Sequence, residues 1–266
     1  MDKTSLGDRM KNNYENISRY YLTHRTPVII RLDGRSFHTF TRGFKKPFDD
    51  ILVKSMQETM KYLCENIQGC VLGYTQSDEI SLVLTDYAEL TTDAWFGNNL
   101  QKMCSVSASM ATMAFNKFFS HNINVDSEYA GCHYFAWEKG AMFDARAFNI
   151  PKEEVCNYFI WRQQDATRNS IQSVGQANFS QKELHGKSCN NIQDMLMIQK
   201  GINWNDYATT LKRGSCCIKV DDGLTEYDEA GNICGYTQRS KWIIDNEIPI
   251  FSQDRNYIEK LINVGG

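Results

Sequence analysis

No run of 18 or more uncharged apolar residues occurs in the chain, and residues 1–11 are polar and charged where a secretory leader needs an apolar stretch. A membrane span and export are therefore not expected, and the cytoplasm is the expected location. C-x-x-C pairs are also missing: nine cysteines are scattered as Cys64, Cys70, Cys104, Cys132, Cys156, Cys189, Cys216, Cys217 and Cys234. That odd, unpatterned set predicts reduced, mostly buried thiols and argues against a disulfide framework or structural zinc. None of the five histidines stands in H-x-x-x-H spacing, which removes a common zinc-enzyme pattern. Excess positive charge is lacking too. With a formal net charge of −3, any nucleic-acid site must be a local patch, with Arg42, Lys45 and Lys46, the single Lys102, and Lys212 with Arg213 as candidates. Gly-x-Gly-x-x-Gly and Walker A patterns are absent and Ser77 has no evident histidine partner, so Rossmann, P-loop and serine-hydrolase readings have little support.

What is present is enough for a large core: 266 residues, 42% hydrophobic and 23% charged, allowing one sizeable domain or two small ones. Residues 26–32, Thr-Pro-Val-Ile-Ile-Arg-Leu, predict a buried strand that stops at Asp33-Gly34. Residues 48–67 carry apolar side chains three and four apart, the spacing of an amphipathic helix, with Asp49 and Asp50 suiting its positive N-terminus. Two β-rich runs, 70–74 and 80–84, flank Thr75-Gln-Ser-Asp-Glu as a hairpin with an acidic tip. Residues 93–119 predict a long helix in which Ser105, Ala108 and Ala111 allow close packing, and residues 143–150 alternate as a strand closed by Pro151. That order fits an antiparallel sheet with helices on one face, the split βαβ arrangement of polymerase palms, hence an α+β class. Residues 151–266 are expected to pack on this 1–150 part, with helices near 155–169, 181–185 and 191–200, a strand at 216–220, and 242–244 as its candidate partner.

Asp33 at one strand end and Asp78 at the hairpin tip are the candidate catalytic carboxylates. Two-metal phosphoryl transfer needs hard oxygen ligands that leave coordination positions for phosphate and water. The main-chain oxygen at Gly34 is a candidate further ligand, since glycine permits close approach. Amides in Gly34-Arg35-Ser36-Phe37-His38 are candidates to cradle a triphosphate, with Lys46 offsetting its charge. Taken singly, each aspartate also reads as an ordinary turn residue, His38 as part of a packed aromatic pair, and Trp161 as a core residue.

Arg31 to Phe40 (R-L-D-G-R-S-F-H-T-F), Gln76 to Val83 (Q-S-D-E-I-S-L-V), Phe143 to Arg146 (F-D-A-R), W-R-Q-Q-D-x-x-x-N from Trp161 to Asn169, and Lys212 to Gly214 (K-R-G) resemble, in order, the signatures of the tRNA(His) guanylyltransferases and the related tRNA 5′-end repair enzymes. The D-G-R-x-F-H and Q-S-D-E pair is the specific part; K-R-G alone carries little. The resemblance implies a palm fold, two Mg²⁺ ions, ATP and GTP or another NTP as substrates, tRNA as partner, and a homotetramer. By position, Asp33, the Gly34 carbonyl and Asp78 are implied metal ligands, with Glu79 supporting the acidic site. Residues 34–38, Lys46, Ser77 and Asn169 are implied nucleotide contacts. Lys102, Arg146, Arg162 and Lys212 are implied RNA or phosphate contacts, and Asp144 and Asp165 match neighbouring family positions.

Three departures accompany the match. Asn98 and Asn99 stand where the guanylyltransferases carry a basic pair, Thr167 stands at a histidine position, and Phe48 replaces a polar residue near the base. They point to template-dependent repair of tRNA 5′ ends over histidine-specific addition. A palm-type nucleotide cyclase and a noncatalytic RNA-binding protein are the alternatives.

Overall fold

The computed structural model describes residues 5–227, 233–237 and 239–262. A short α1 (Leu6–Met10) precedes β1 (Val28–Gly34), α2 (Phe37–Phe40) and α3 (Asp50–Asn66), followed by the hairpin β2 (Cys70–Gln76) and β3 (Glu79–Leu84). Next come α4 (Leu100–Asn122), α5 (Ala130–Lys139), β4 (Phe143–Asn149) and the 27-residue α6 (Lys152–Asn178). The chain continues through α7 (Gln181–Leu184), α8 (Cys189–Lys200), α9 (Thr209–Arg213), β5 (Ser215–Asp221), β6 (Leu224–Tyr227), β7 (Ile233–Thr237), β8 (Ser240–Asp245) and α10 (Asn256–Ile262).

The sheet order is β4-β1-β3-β2-β5-β8, every neighbouring pair antiparallel. Its first four strands, with α3 and α4, form the βαββαβ palm that the element order predicts. β5 and β8 come from beyond residue 150 and continue the same sheet.

Helices cover both faces of the sheet, where the element order predicted one. Alternation in β1 and β3 sends Ile30, Leu32, Ile80 and Leu82 to one side, against Met56, Met60 and Leu63 of α3 and Met103, Phe115 and Phe119 of α4. Ile29 and Val83 point the other way, with Leu72 and Tyr74, against Val155, Tyr158 and Phe159 of α6 and Ile258 and Ile262 of α10. Burying each such side chain contributes about 1.5–3 kcal/mol. The second half of α6 runs past the sheet, where Ile171 and Val174 meet Ile192, Leu196 and Trp204. The middle of α6 therefore lies over the strand ends that carry the acidic residues.

α4 starts later than its composition predicts. Phe96, Gly97 and Asn98 adopt positive φ (52°, 57° and 59°), which breaks the helix, and the Asn99 side chain then caps it by accepting the Lys102 N–H at 3.0 Å. The face it packs is also not the Ser105–Ala108–Ala111 row. Ser105 is exposed, and Met103, Ser107, Ala111, Phe115 and Phe119, each four apart, are the buried line. Among the described residues, no helix is long and apolar enough to cross a membrane.

Candidate active site

β1 brings its terminal carboxylate into an acidic row, because Asp33 pairs with Glu79 on β3 and with Asp144 on β4. The β2–β3 turn is tied to the same point: the Gly34 N–H donates to the main-chain oxygen of Asp78 at 3.0 Å. Ser77 holds the turn at φ 51°, a conformation costly for a non-glycine residue, and its Oγ lies 3.0 Å from Asp78 Oδ1. Burial pushes the Asp78 carboxyl above its ordinary range and the like charge of Asp33 adds to it, against the opposing hydrogen bond from Ser77. A divalent cation between them would relieve that cost. Among the described residues no group of three or more His, Cys, Asp or Glu side chains is spaced to hold a metal ion. A bound ion would thus rest on two carboxylates and main-chain oxygen. That all-oxygen set suits Mg²⁺, which keeps several of its positions for water and phosphate.

Gly34 is required here for a reason that its neighbours supply. A Cβ on it would stand 2.3 Å from the Phe37 ring, and that ring packs at 5.0–5.4 Å from Phe40, Phe115 and Phe143. The Phe37 side chain is therefore core, and only its main chain remains for a ligand. Of the five amides predicted to cradle a triphosphate, two are already used: Gly34 donates to Asp78, and Arg35 to the Met142 oxygen at 2.8 Å. Ser36, at φ 56°, then opens α2, whose first turn leaves the amides of Phe37 and His38 without intrahelical acceptors. The His38 side chain is exposed instead of forming a packed pair with Phe37.

Beside the acidic row lies a cavity of about 210 Å³ that gathers Lys46 and Phe48 from the loop before α3, Ser77 from the turn, Asn169 and Ser173 from α6, and Gly214. Lys46, Ser77 and Asn169 are thus brought together from distant parts of the sequence. Lys46 is exposed, while the adjacent Lys45 is paired with Asp50 at 2.7 Å. Phe48 meets Tyr207 edge-on at 5.5 Å. Ser173 was not predicted, and only its place one helical turn after Asn169 signals it. The K-R-G glycine has a structural role: at φ 85° it lies so close to β2 that a Cβ would stand 2.4 Å from the Thr75 oxygen.

Two of the residues expected to contact phosphate, Arg162 and Lys212, are buried and already hold protein partners. Arg162 is only 4% exposed and grips Glu79, also 4% exposed, through Nε (2.7 Å) and an NH2 nitrogen (2.9 Å), with Asp165 at 2.8 Å. Arg31 reaches the same Glu79 carboxylate at 2.7 Å. Arg162 and Glu79 are thus held to each other as a buried ion pair beside the acidic row. Burial pushes the Glu79 carboxyl up while the two guanidiniums pull it down. Lys212 is buried as well; its Nζ donates to the Asn205 oxygen at 2.6 Å.

Lys102 and Arg146 remain at the surface, Lys102 with its Nζ 5.7 Å from the Phe96 ring centroid and Arg146 3.7 Å from Asp144. Trp161, read as core, is 52% exposed and lies against the Arg162 guanidinium at 4.3 Å. Asn98 and Asn99 are buried, holding the N-terminal segment: Leu22 N–H donates to the Asn98 oxygen at 2.9 Å. Thr167 faces a separate cavity with Gln163, Gln164 and Arg213.

Residues 7–151 match the family described as "Thg1: tRNAHis guanylyltransferase". A probable tRNA(His) guanylyltransferase of Dictyostelium discoideum is 26% identical over 239 residues, covering 85% of this chain and 86% of that protein. The solved structure of a bacterial tRNA(His) guanylyltransferase (Thg1)-like protein in complex with ATP superposes with a TM-score of 0.82 at 47% identity, covering 98% of this chain and all of that one. A second such structure, in complex with GTP, gives a TM-score of 0.77 at 45% identity over the same shares of both chains.

Proposed function

The chain belongs to the tRNA(His) guanylyltransferase family, whose chemistry is nucleotidyl transfer, and from that premise we propose that it adds nucleotides to the 5′ end of tRNA in the 3′-to-5′ direction, repairing truncated ends against the opposing strand. The observation that carries this reading is the single point where Asp33, Gly34 and Asp78 meet, open beside a cavity holding Lys46, Ser77 and Asn169.

Asp33 and Asp78, with the Gly34 main-chain oxygen, are the residues to hold Mg²⁺. When bound, the metal lowers the cost of ionising a hydroxyl and offsets phosphate charge. Lys46 and the amides at the start of α2 hold the triphosphate. In this reading the 3′-hydroxyl of the incoming nucleotide attacks the activated 5′ phosphorus of the RNA beside Asp33 and Asp78. The phosphorus is activated either as an adenylyl adduct made from ATP or as a 5′-triphosphate, and AMP or pyrophosphate leaves. Phe48 offers an apolar wall where a polar group would read the base, which leaves base choice to pairing. The Asn99 side chain caps α4 and the Asn98 side-chain amide donates to the Thr23 main-chain oxygen at 3.4 Å, which supports the absence of a dedicated basic contact there. A homotetramer in the cytoplasm is part of this reading. Association between copies is supported by the exposed apolar side chains of Leu6, Met10, Tyr14 and Ile17.

The test compares addition to 5′-truncated tRNA(His) and to truncated non-histidine tRNAs, with ATP, Mg²⁺ and each NTP, while the opposing 3′-strand base is varied. Additions should follow the opposing base in all of them. Guanosine added only to tRNA(His), whatever base it faces, would restore the histidine-specific assignment.

A further inference from the structure

The loop that presents Lys46 and Phe48 is shaped from behind by α5, an element the sequence left without a role. Asp49 does three things at once. Its Oδ1 accepts the Leu52 N–H at 3.0 Å and caps α3; its Oδ2 accepts the Lys45 N–H at 3.2 Å, closing the turn that contains Lys46, Pro47 and Phe48; and the same Oδ2 meets His133 Nε2 of α5 at 2.9 Å. His133 is 2% exposed, and its ring stands edge-on to Phe44, another residue of the cavity wall, at 4.6 Å. One residue earlier, Cys132 closes on Gly43, where a Cβ would lie 2.7 Å from the sulfur.

The ring is oriented for this contact at the expense of its other nitrogen. His133 Nδ1 is buried without a hydrogen-bond partner, one of two such side-chain atoms among the described residues. A carboxylate only accepts, so the Nε2 proton donates to Asp49 while Nδ1 is left without a partner. An apolar side chain would fill the same space without that desolvation cost. What histidine adds is a directed donor to the one carboxylate that closes the Lys46 turn.

We propose that His133 is a positioning residue for nucleoside triphosphate binding, acting through Asp49 to hold the Lys46–Phe48 turn in the conformation that meets the phosphates. This rests on the proposed reading of the cavity as the nucleotide site and adds to it a residue on a separate helix that does not touch the ligand. The contribution is preorganisation: a turn already in its bound shape loses less freedom when the triphosphate arrives. The role belongs to affinity more than to the chemical step.

The experiment measures the Kd for ATP in Mg²⁺ and the thermal midpoint for the full chain and for His133→Leu, His133→Gln, Asp49→Ser and Lys46→Ala. His133→Leu keeps volume and loses the donor, and its ATP Kd should rise about tenfold. His133→Gln keeps a side-chain N–H and should stay within about threefold. Asp49→Ser keeps a cap for α3 but loses reach to Lys45 and His133, so it should match His133→Leu; combined with it, the rise should not multiply. If His133→Leu does not fold, Asp49→Ser and His133→Gln decide by the same ordering. A His133→Leu protein whose midpoint falls while its ATP Kd stays within twofold has lost only packing, and that overturns the proposal. Equal loss in His133→Leu and His133→Gln overturns it too. Lys46→Ala separates the two levels: a Kd indifferent to Lys46 sinks the reading of the cavity itself, whereas a Kd that depends on Lys46 but not on His133 sinks only the positioning role.

Discussion

The Gly34 amide donates to the main-chain oxygen of Asp78 at 3.0 Å, so the end of β1 and the tip of the β2–β3 hairpin are held as one unit. Asp33 and Asp78 are kept close by backbone, not by their own side chains, and their like charges remain without mutual compensation.

Replacing either aspartate should therefore remove activity without unfolding the protein. Asp33→Asn and Asp78→Asn are each expected to reduce nucleotide addition at least about a thousandfold, the scale of losing a principal electrostatic contributor. Mg²⁺ should raise the thermal midpoint of the parent protein and not that of Asp78→Asn, because only a site that binds the folded state stabilises it. Calorimetry with and without EDTA reads this directly, and a variant that still gains stability from Mg²⁺ would move the metal elsewhere.

Gly34→Ala tests the packing of the same junction. Its Cβ would stand 2.3 Å from the Phe37 ring, which is itself fixed among Phe40, Phe115 and Phe143. An overpacking cost of about 1–3 kcal/mol is expected in chemical denaturation, with a loss of nucleotide addition larger than that destabilisation explains, since the amides after Gly34 shift with it.

Glu79 and Arg162 should behave as a structural couple. Removing Arg162 leaves a buried carboxylate with only Arg31 to offset it, so Arg162→Ala should cost about 3 kcal/mol, near the lower end for a broken buried pair. The double variant with Glu79→Gln should lose markedly less than the sum. A phosphate-binding role would show instead as a shallower salt dependence of RNA affinity in a fully stable variant.

Lys46 and Lys212 should separate cleanly. Lys46 is exposed at the cavity, and Lys46→Ala should raise the NTP KM about tenfold while changing stability by less than about 0.5 kcal/mol. Lys212→Ala leaves the Asn205 oxygen without its donor and should cost about 1–3 kcal/mol, with the slope of RNA affinity against salt unchanged.

How much of this was readable in advance depended on distance along the chain. The β1 strand and the hairpin follow from β-rich runs closed by turn residues, and the α3 helix from three-four spacing, because each signal is local in the chain. The late start of α4 is not legible in the sequence because residues 93–119 hold few breakers, yet Phe96, Gly97 and Asn98 at positive φ keep the helix from starting before Leu100. Trp161 reads as core from its residue type and its place among the apolar positions of the helix; its outward place depends on how α6 crosses the sheet.

By itself the sequence determined the palm's element order and the family, since β-rich runs, helical spacing, turn chemistry and each of the two specific motifs are written within short stretches of chain. Only the tertiary structure decided which charges are free. Whether Arg162, Lys212 and Lys46 face a ligand or a buried partner is set by helices crossing strands from far along the chain, Glu79 to Arg162 being 83 residues apart. Long cationic side chains look alike in sequence whether they end in water or on a carboxylate, because burial is a property of the packed layers and not of the residue.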